Sequence, residues 1–350
     1  MIIKFDKKIE DIERVNRARV EQLFSELARA SRLGHHFVII SRDLCVWARE
    51  KCNFTEMDRA SNKKIEEQYS QKCGVSKIKN AIVIEICLDD SSITRINRVN
   101  YRVGIDFILG SRILEPGILM VENDSSDGQM MDLIFNSMRK RMYVTNISYR
   151  LQNGGGSTIL GSLQNNFDGK EILVCVLDSD KKTPFESEST AAKNIVKLMS
   201  KRNFVGMVKV FPFREIENLI PLRIIVDNKL AKNYKEFGKI IKLHNTQGDA
   251  NQLDCFWLYF DLKNGVLFQD VNKCKSSESK EWYVRKFFPD ADNKKIEGFG
   301  ENIINAFLTT NKAKSDFAKF TEEKYWDLHF SEIFHELYSY FLADKRMASN

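Results

Sequence analysis

Apolar residues in this chain recur in two ways. Between residues 6 and 32, Ile9, Ile12, Val15, Val20, Leu23, Phe24 and Leu27 return every three or four positions among alternating charges. That spacing predicts one long amphipathic helix, stopped by Gly34. Elsewhere the apolar residues come in short unbroken runs at 36–40, 81–88, 117–121, 171–177 and 206–211. Such runs, bounded by polar turns, predict strands buried on both faces. The stretches 44–51, 55–73, 128–140 and 189–201 separate them at helix length, and 142–147 reads as one more strand leading to Gly154-Gly155-Gly156-Ser157-Thr158. Residues 253–262 predict a strong aromatic strand, while 296–342 are helical in pattern and rich in Phe, Tyr and Trp, which read as core. Strand alternating with helix predicts an α/β fold in three parts. These are an N-terminal α/β domain over 1–115, a central domain with a mainly parallel sheet flanked by helices over 116–225, and a mostly helical region over 226–350 that completes or caps the centre.

A chain of 350 residues is longer than a single hydrophobic core usually grows, which agrees with that division. With 43% hydrophobic residues and five prolines it has the composition of an ordinary globular protein. The net charge of +6 is mild, yet 54 Lys and Arg leave a surface able to meet nucleic acid or simply to stay soluble. Seven cysteines include no Cys-x-x-Cys pair, so neither a disulfide framework nor a zinc site is indicated, and a reducing cytoplasm fits. No apolar run approaches the roughly 18 residues of a membrane span, and the first residues lack the apolar core of a secretion signal. A cytoplasmic protein without membrane association is the expectation. His35 and His36 have no acidic or cysteine partners at ligand spacing and read as structural. Arg95, Arg98, Arg102 and Arg112 read either as a solvated face or as a track for phosphates.

The chemistry lies in three acidic clusters, each just past a predicted strand: Glu122 with Asp127, Asp178-Ser179-Asp180, and Arg214-Glu215-Ile216-Glu217-Asn218. Parallel strands carry their carboxyl ends to one edge of a sheet, where open α/β sheets bind ligands. Side chains two apart on a strand face the same way, so Asp178 and Asp180 are expected to point together. So many carboxylates in one crevice repel and raise one another's pKa, and a hard divalent cation, Mg²⁺ or Mn²⁺, is the natural counter-charge. The plainer readings are an N-cap for Asp127, turn formation for Asp178 and Asp180, and a helix first turn for Glu215. The glycines at 154–156 are either a plain turn or a backbone cradle for phosphate, though no Gly-Lys-Ser/Thr follows and ATP hydrolysis by this loop is not indicated. A turn over Asp261–Gly265 offers Lys263 to the same crevice.

The order of strand-Glu122, strand-Asp178-x-Asp180 and later Glu217 resembles the Toprim domain of topoisomerases, primases and nucleases of the OLD (overcoming lysogenization defect) family. Within it the chain is most like the OLD branch and its stand-alone relatives. Glu122-Asn-Asp-Ser-Ser-Asp127 resembles their Val-Glu-Gly-x-x-Asp/Glu start with one residue added and Asn123 in place of Gly, and Arg214-Glu-Ile-Glu-Asn218 resembles their Ile-Glu-Asn-Tyr element. The resemblance covers residues 117–221. It implies a Toprim core and a metal-dependent endonuclease acting on DNA or RNA, with Mg²⁺ or Mn²⁺ held by Glu122, Asp127, Asp178, Asp180 and Glu217. Glu122 would be general base or ligand, and Lys263, with Lys273, Lys275 and Lys280 as competitors, would steady the transition state. A separately encoded ATPase partner in bacterial anti-phage defence is also implied, and an oligomer is compatible with it. The alternative is a catalytically silent Toprim-fold subunit for nucleic-acid binding or assembly. A primase- or topoisomerase-like transferase is the weakest reading, since none of the ten tyrosines is singled out as a nucleophile.

Overall fold

Three largely apolar runs, one mixed strand and one short edge segment build the first sheet: Ile2–Phe5 (β1), Phe37–Ile40 (β2), Val83–Cys87 (β3), Ile93–Arg95 (β4) and Asn100–Gly104 (β5). The computed structural model describes residues 1–75, 78, 80–88, 92–141, 146–231, 234–246, 255–290 and 294–347. The strand order is β2-β1-β3-β5-β4, with only β4 antiparallel to its neighbour. Around it lie α1 (Ile9–Glu13), α2 (Arg17–Leu33), α3 (Arg42–Lys51), α4 (Glu56–Glu67), α5 (Tyr69–Val75) and α6 (Ile105–Leu109). The single long helix expected over 6–32 is therefore two. Asn16 ends the periodic run because its side chain accepts the Ala18 N–H at 3.0 Å, making it an N-cap rather than a helical residue. Gly34, at φ +70°, closes α2.

The second sheet is wholly parallel. Its elements run β6 (Gly117–Val121), α7 (Gln129–Arg141), a two-residue β7 (Asn146–Ile147) outside the sheet, β8 (Tyr149–Asn153), α8 (Ile159–Asn166), β9 (Leu173–Leu177), α9 (Thr190–Met199) and β10 (Gly206–Val210), with sheet order β10-β9-β6-β8. Both faces are covered, which is why these strands read as unbroken apolar runs. Ile118, Met120, Leu173, Cys175 and Leu177 pack with α8 and α9, while Leu119, Val121, Val174 and Val176 join the core that includes Met131, Ile134 and Phe135 of α7. The strand expected over 142–147 differs: residues 142–145 lie outside the described residues, and the strand that enters the sheet ahead of Gly154 is β8.

The remaining elements are α10 (Leu222–Asp227), α11 (Tyr234–Thr246), β11 (Gly265–Leu267), α12 (Ser277–Phe287), β12 (Lys295–Glu297), α13 (Ile303–Thr309), α14 (Asn311–Phe320), α15 (Lys324–His329), α16 (Ser331–Ser339) and β13 (Leu342–Ala343). β11 and β12 pair with each other, and β13 returns to pair with β7. The aromatic stretch does not form the expected strand. Leu253 and Asp254 lie outside the described residues, and Phe256–Tyr259 make a 3₁₀ turn with all four residues buried. An unbroken apolar run carries no alternation to specify a strand. Here the Trp257 and Phe260 carbonyls accept from the Asn218 side chain instead of a neighbouring strand.

The aromatic residues of α14–α16 are core, and they reach back to the segment after β10. Trp326 stacks on Phe334, Phe334 meets Phe211 at 5.8 Å, and Phe330 meets Phe213 at 5.8 Å. One apolar cluster thus runs continuously from Met1 to Leu342. His36 is buried, with Nε2 3.0 Å from Glu115 O. Arg98 pairs with Glu336, Arg112 with Glu171 and Asp168, Arg102 approaches Glu85 at 3.9 Å, and Arg95 lies over Tyr101.

Leu119, fully buried on the central strand β6, tests this packing. Leu119→Ala is expected to lower unfolding free energy by about 3 kcal/mol, whereas Leu328→Ala, 68% exposed, should change it by no more than about 0.5 kcal/mol. Urea titration of the two variants measures the difference.

Candidate metal centre

Because every strand of the second sheet runs the same way, the residues that follow β6, β8, β9 and β10 emerge along one edge. β6 delivers Glu122, β9 delivers Asp178-Ser179-Asp180, and β10 leads through Pro212 and Phe213 to Arg214–Asn218. From β6 the chain goes to β8 on one side and then to β9 on the other, so the gap between β6 and β9 is the point where strand order reverses. Glu122 and Asp178 flank that gap, with the Asp178 N–H donating to Glu122 Oε1 at 3.1 Å.

Backbone bonds fix the acidic loops. The N–H groups of Ser179 and Asp180 both donate to Arg214 O, at 3.0 and 3.1 Å, and the Ile216 N–H donates to Asp178 Oδ1 at 3.1 Å. β9 ends at Leu177, so strand alternation does not govern Asp178 and Asp180; the pinned loop does. Asp180 is exposed and sits at φ +55°, a left-handed backbone that aspartate tolerates better than most non-glycine residues. Residues 124–128 form a π-helical turn in which Asp127 N–H and Gly128 N–H both donate to Asn123 O. Asn123, not Asp127, supplies the capping side chain, accepting from Ser125 N–H at 3.0 Å. Asp127 reaches back to the Asn123 N–H at 2.9 Å and takes the Ser126 hydroxyl at 2.8 Å.

Asn218 couples this edge to the aromatic turn. It accepts the Glu215 N–H at 3.0 Å and donates to Trp257 O and Phe260 O, both at 2.8 Å. The exit of that turn carries Lys263, held because Asp261 Oδ1 accepts the N–H groups of Lys263 and Asn264. Lys263 Nζ lies 3.2 Å from Glu215 Oε2 and 2.5 Å from Glu217 Oε1. The second contact is off the hydrogen-bonding direction, so the buried Glu217 Oε1 is ion-paired without a directed donor. Arg214 pairs with Glu215 at 3.3 Å and Asp261 at 2.7 Å, and Lys273 is held by Asp270.

Six carboxylates therefore share one field. Burial, then the charges of Glu217, Asp127, Glu122 and Glu215, raises Asp178 well above the carboxylate range. Burial also raises Glu122; the Asp178 N–H opposes it and the charges of Asp180, Asp127 and Glu215 add to it. Asp127 is raised by burial against the Ser126 and Asn123 hydrogen bonds and the Lys263 charge. Burial, with the charge and hydrogen bond of Glu215, pushes Glu217 up to about 7 against Lys263. For Glu215, burial pushes upward, but its hydrogen bond with Glu217 and the charges of Lys263 and Arg214 leave it lowered. Burial works against the Lys263 ammonium, yet Glu217 and Glu215 outweigh it and raise its pKa.

Among the described residues, no group of three or more His, Cys, Asp or Glu lies at the spacing of a metal shell. The donor chemistry nonetheless fits a hard divalent cation: all oxygen, with more carboxylates than Lys263 and Arg214 offset. Lys263 occupies the position between Glu215 and Glu217 and would compete with such an ion.

The glycine loop is not a phosphate cradle. The N–H groups of Gly154, Gly155 and Gly156 are engaged by Val121 O, Asn153 Oδ1 and Glu122 O, so the loop buttresses the end of β6. A Cβ at Gly154 would stand 2.9 Å from Val121 O, and this close approach requires glycine. Sequence reasoning missed Asp261, the bridging role of Arg214, the carbonyl contacts of Asn218, and Glu215 as a partner of Lys263. The Asp261 turn has a local signal in Asp-Leu-Lys-Asn-Gly, but its pairing with Arg214 and the other contacts have none.

A carboxyl raised on folding makes stability fall as pH climbs. Between the ordinary value of 4.5 and about 7 the folded state keeps the Glu217 proton that the unfolded chain has released. Glu215, lowered, is ionised in both states above 4.5 and adds no slope there. In chelator, Lys263→Met should therefore destabilise the protein by about 3 kcal/mol at about pH 8 and by less at about pH 5.5, read from urea midpoints. A penalty independent of pH would show that Lys263 does not compensate these acids.

No protein-family model, curated protein or solved structure matches this chain.

Proposed function

We propose that this chain is a metal-dependent nuclease of the Toprim type, similar to the OLD branch, that hydrolyses phosphodiester bonds of DNA or RNA. The observation that carries this reading is the meeting of Glu122, Asp127, Asp178, Asp180, Glu215 and Glu217 in one electrostatic field at the carboxyl edge of a parallel sheet. The π-helical turn at 124–128 supports it further. A π turn takes up one extra residue in a helix, so the residue added between Glu122 and Asp127 does not turn Asp127 away from the other acids.

Asp178, Asp180 and Glu217, with Asp127 and Glu122, would hold Mg²⁺ or Mn²⁺. When bound, such ions polarise the phosphoryl oxygens and lower the pKa of water. Glu122, raised by burial, is suited to take the proton of the attacking water. Lys263 would exchange its carboxylate partners for the negative charge that develops on the phosphate. By the same resemblance, the chain would act in the cytoplasm with a separately encoded ATPase in anti-phage defence. Co-purification with the products of neighbouring genes tests that part.

The second reading, a silent subunit for nucleic-acid binding or assembly, is favoured by the Lys263 contact to Glu217 and by the absence of a closed metal shell among the described residues. Purified protein with Mg²⁺ or Mn²⁺, incubated with plasmid, single strands and total RNA, separates the two. Cleavage should fall by about 100-fold or more in both Asp178→Ala and Glu122→Ala. Undiminished cleavage in either variant, or none in the wild type with metal, would sink the nuclease assignment.

A further inference from the structure

Beside the acidic centre lies a second cavity, of 330 Å³, with the opposite chemistry. Its walls bring together Lys182 from the loop after β9, Arg214, Lys273 from the turn before α12, and Lys295 of β12. Asp261 and Asp270 are the carboxylates among its lining residues. They pair with two of the cations: Asp261 Oδ2 holds Arg214 at 2.7 Å and Asp270 Oδ1 holds Lys273 at 2.6 Å. Lys295 is paired with Glu297. Lys182, half-buried, has no ion-pair partner among the described residues, so the positive surplus of the cavity rests on its ammonium.

The two sites share a wall. Arg214 touches Asp261 on the cavity side and Glu215 on the acidic side, and the Asp261 turn that lines the cavity presents Lys263 to Glu217. Lys182 follows Asp180 by two residues, so the same loop feeds both. A polyanion approaching six carboxylates is repelled unless a nearby cationic surface receives it. Ammonium groups arranged around a hollow meet the several oxygens of a phosphate as point charges, and the volume is at the small end of ligand cavities, enough for a phosphate and little more than its sugar.

We propose that this cavity is a phosphate seat, holding a non-scissile phosphate of the nucleic-acid strand that the acidic centre cuts. The inference rests on the nuclease reading for its substrate, but the seat is built from residues that reading does not use as metal ligands. It predicts binding that needs no divalent ion.

The test measures binding of a fluorescein-labelled single-stranded oligonucleotide in chelator, to wild type and to Lys182→Glu and Lys273→Gln, with inorganic phosphate as competitor. Circular dichroism checks that each variant is folded. Both variants should weaken binding by about tenfold, and Lys273→Gln, which removes one positive charge, should lower the slope of log affinity against log salt by about one; a merely structural change would leave that slope alone. A preference for a 5′-phosphorylated over a 5′-hydroxyl oligonucleotide assigns the seat to a terminal phosphate, and equal binding assigns it to an internal phosphodiester. Affinity and salt slope unchanged in both variants would overturn the seat while leaving the nuclease reading intact. Lys182-dependent binding in a protein that cleaves nothing with metal would reject the nuclease reading and leave the seat standing.

Discussion

Crowding of like charge is the constraint on which this structure turns. Glu122, Asp127, Asp178, Asp180, Glu215 and Glu217 are pressed together at the carboxyl edge of one parallel sheet, and burial denies several of them the water that would screen their repulsion. Lys263 is what keeps the innermost pair tolerable. Its ammonium contacts both Glu215 and Glu217, and Glu217 is 98% removed from solvent. A buried charge pair of this sort is poor value for stability compared with apolar packing. Perturbed carboxylates gathered at a sheet edge are the pattern on which the proposed function rests.

Holding such a cluster in place takes a rigid backing, and the chain provides one from distant parts. Phe330, between α15 and α16, and Phe334 of α16 brace Phe213 and Phe211, the residues through which the chain passes after β10 before the Glu215–Asn218 turn. Arg214 O receives two N–H groups from the Asp178–Asp180 loop, Arg214 N–H reaches Leu258 O, and Asn218 grips the carbonyls of Trp257 and Phe260. The Asp178–Asp180 loop is thus tied to Arg214 by backbone bonds, and the Asp178 N–H also holds the Glu122 carboxylate, which opposes repulsion between the side chains. The glycine loop after β8 joins the same scheme, its N–H groups committed to Val121, Asn153 and Glu122.

Next to this negative edge, the cavity lined by Lys182, Lys273 and Lys295 shares Arg214 and Asp261 with it, and Lys182 adds a positive charge without an ion-pair partner among the described residues. Adjacent fields of opposite sign orient a charged ligand as well as attract it.

The amino-acid sequence by itself determined the α/β class, most of the strands and helices, and which acids follow which strands. It could do so because period and strand-end position are local properties, readable in runs such as Gly117–Val121 and Leu173–Leu177. It misjudged places where a single residue or a long-range bond overrides the local pattern: the helix broken at Asn16, the aromatic run folded into a turn by Asn218, and the aspartates at 178 and 180, beyond the end of β9. Only the tertiary structure decided that Lys263 meets Glu215 and Glu217 and that the glycine N–H groups are already engaged. Only the tertiary structure brought Lys182 and Lys295 into the wall of one cavity. Apart from the local bond of Gly155 to Asn153, those pairings join residues tens to more than a hundred positions apart, and no spacing along the chain encodes them because the packing of the whole core sets their distance.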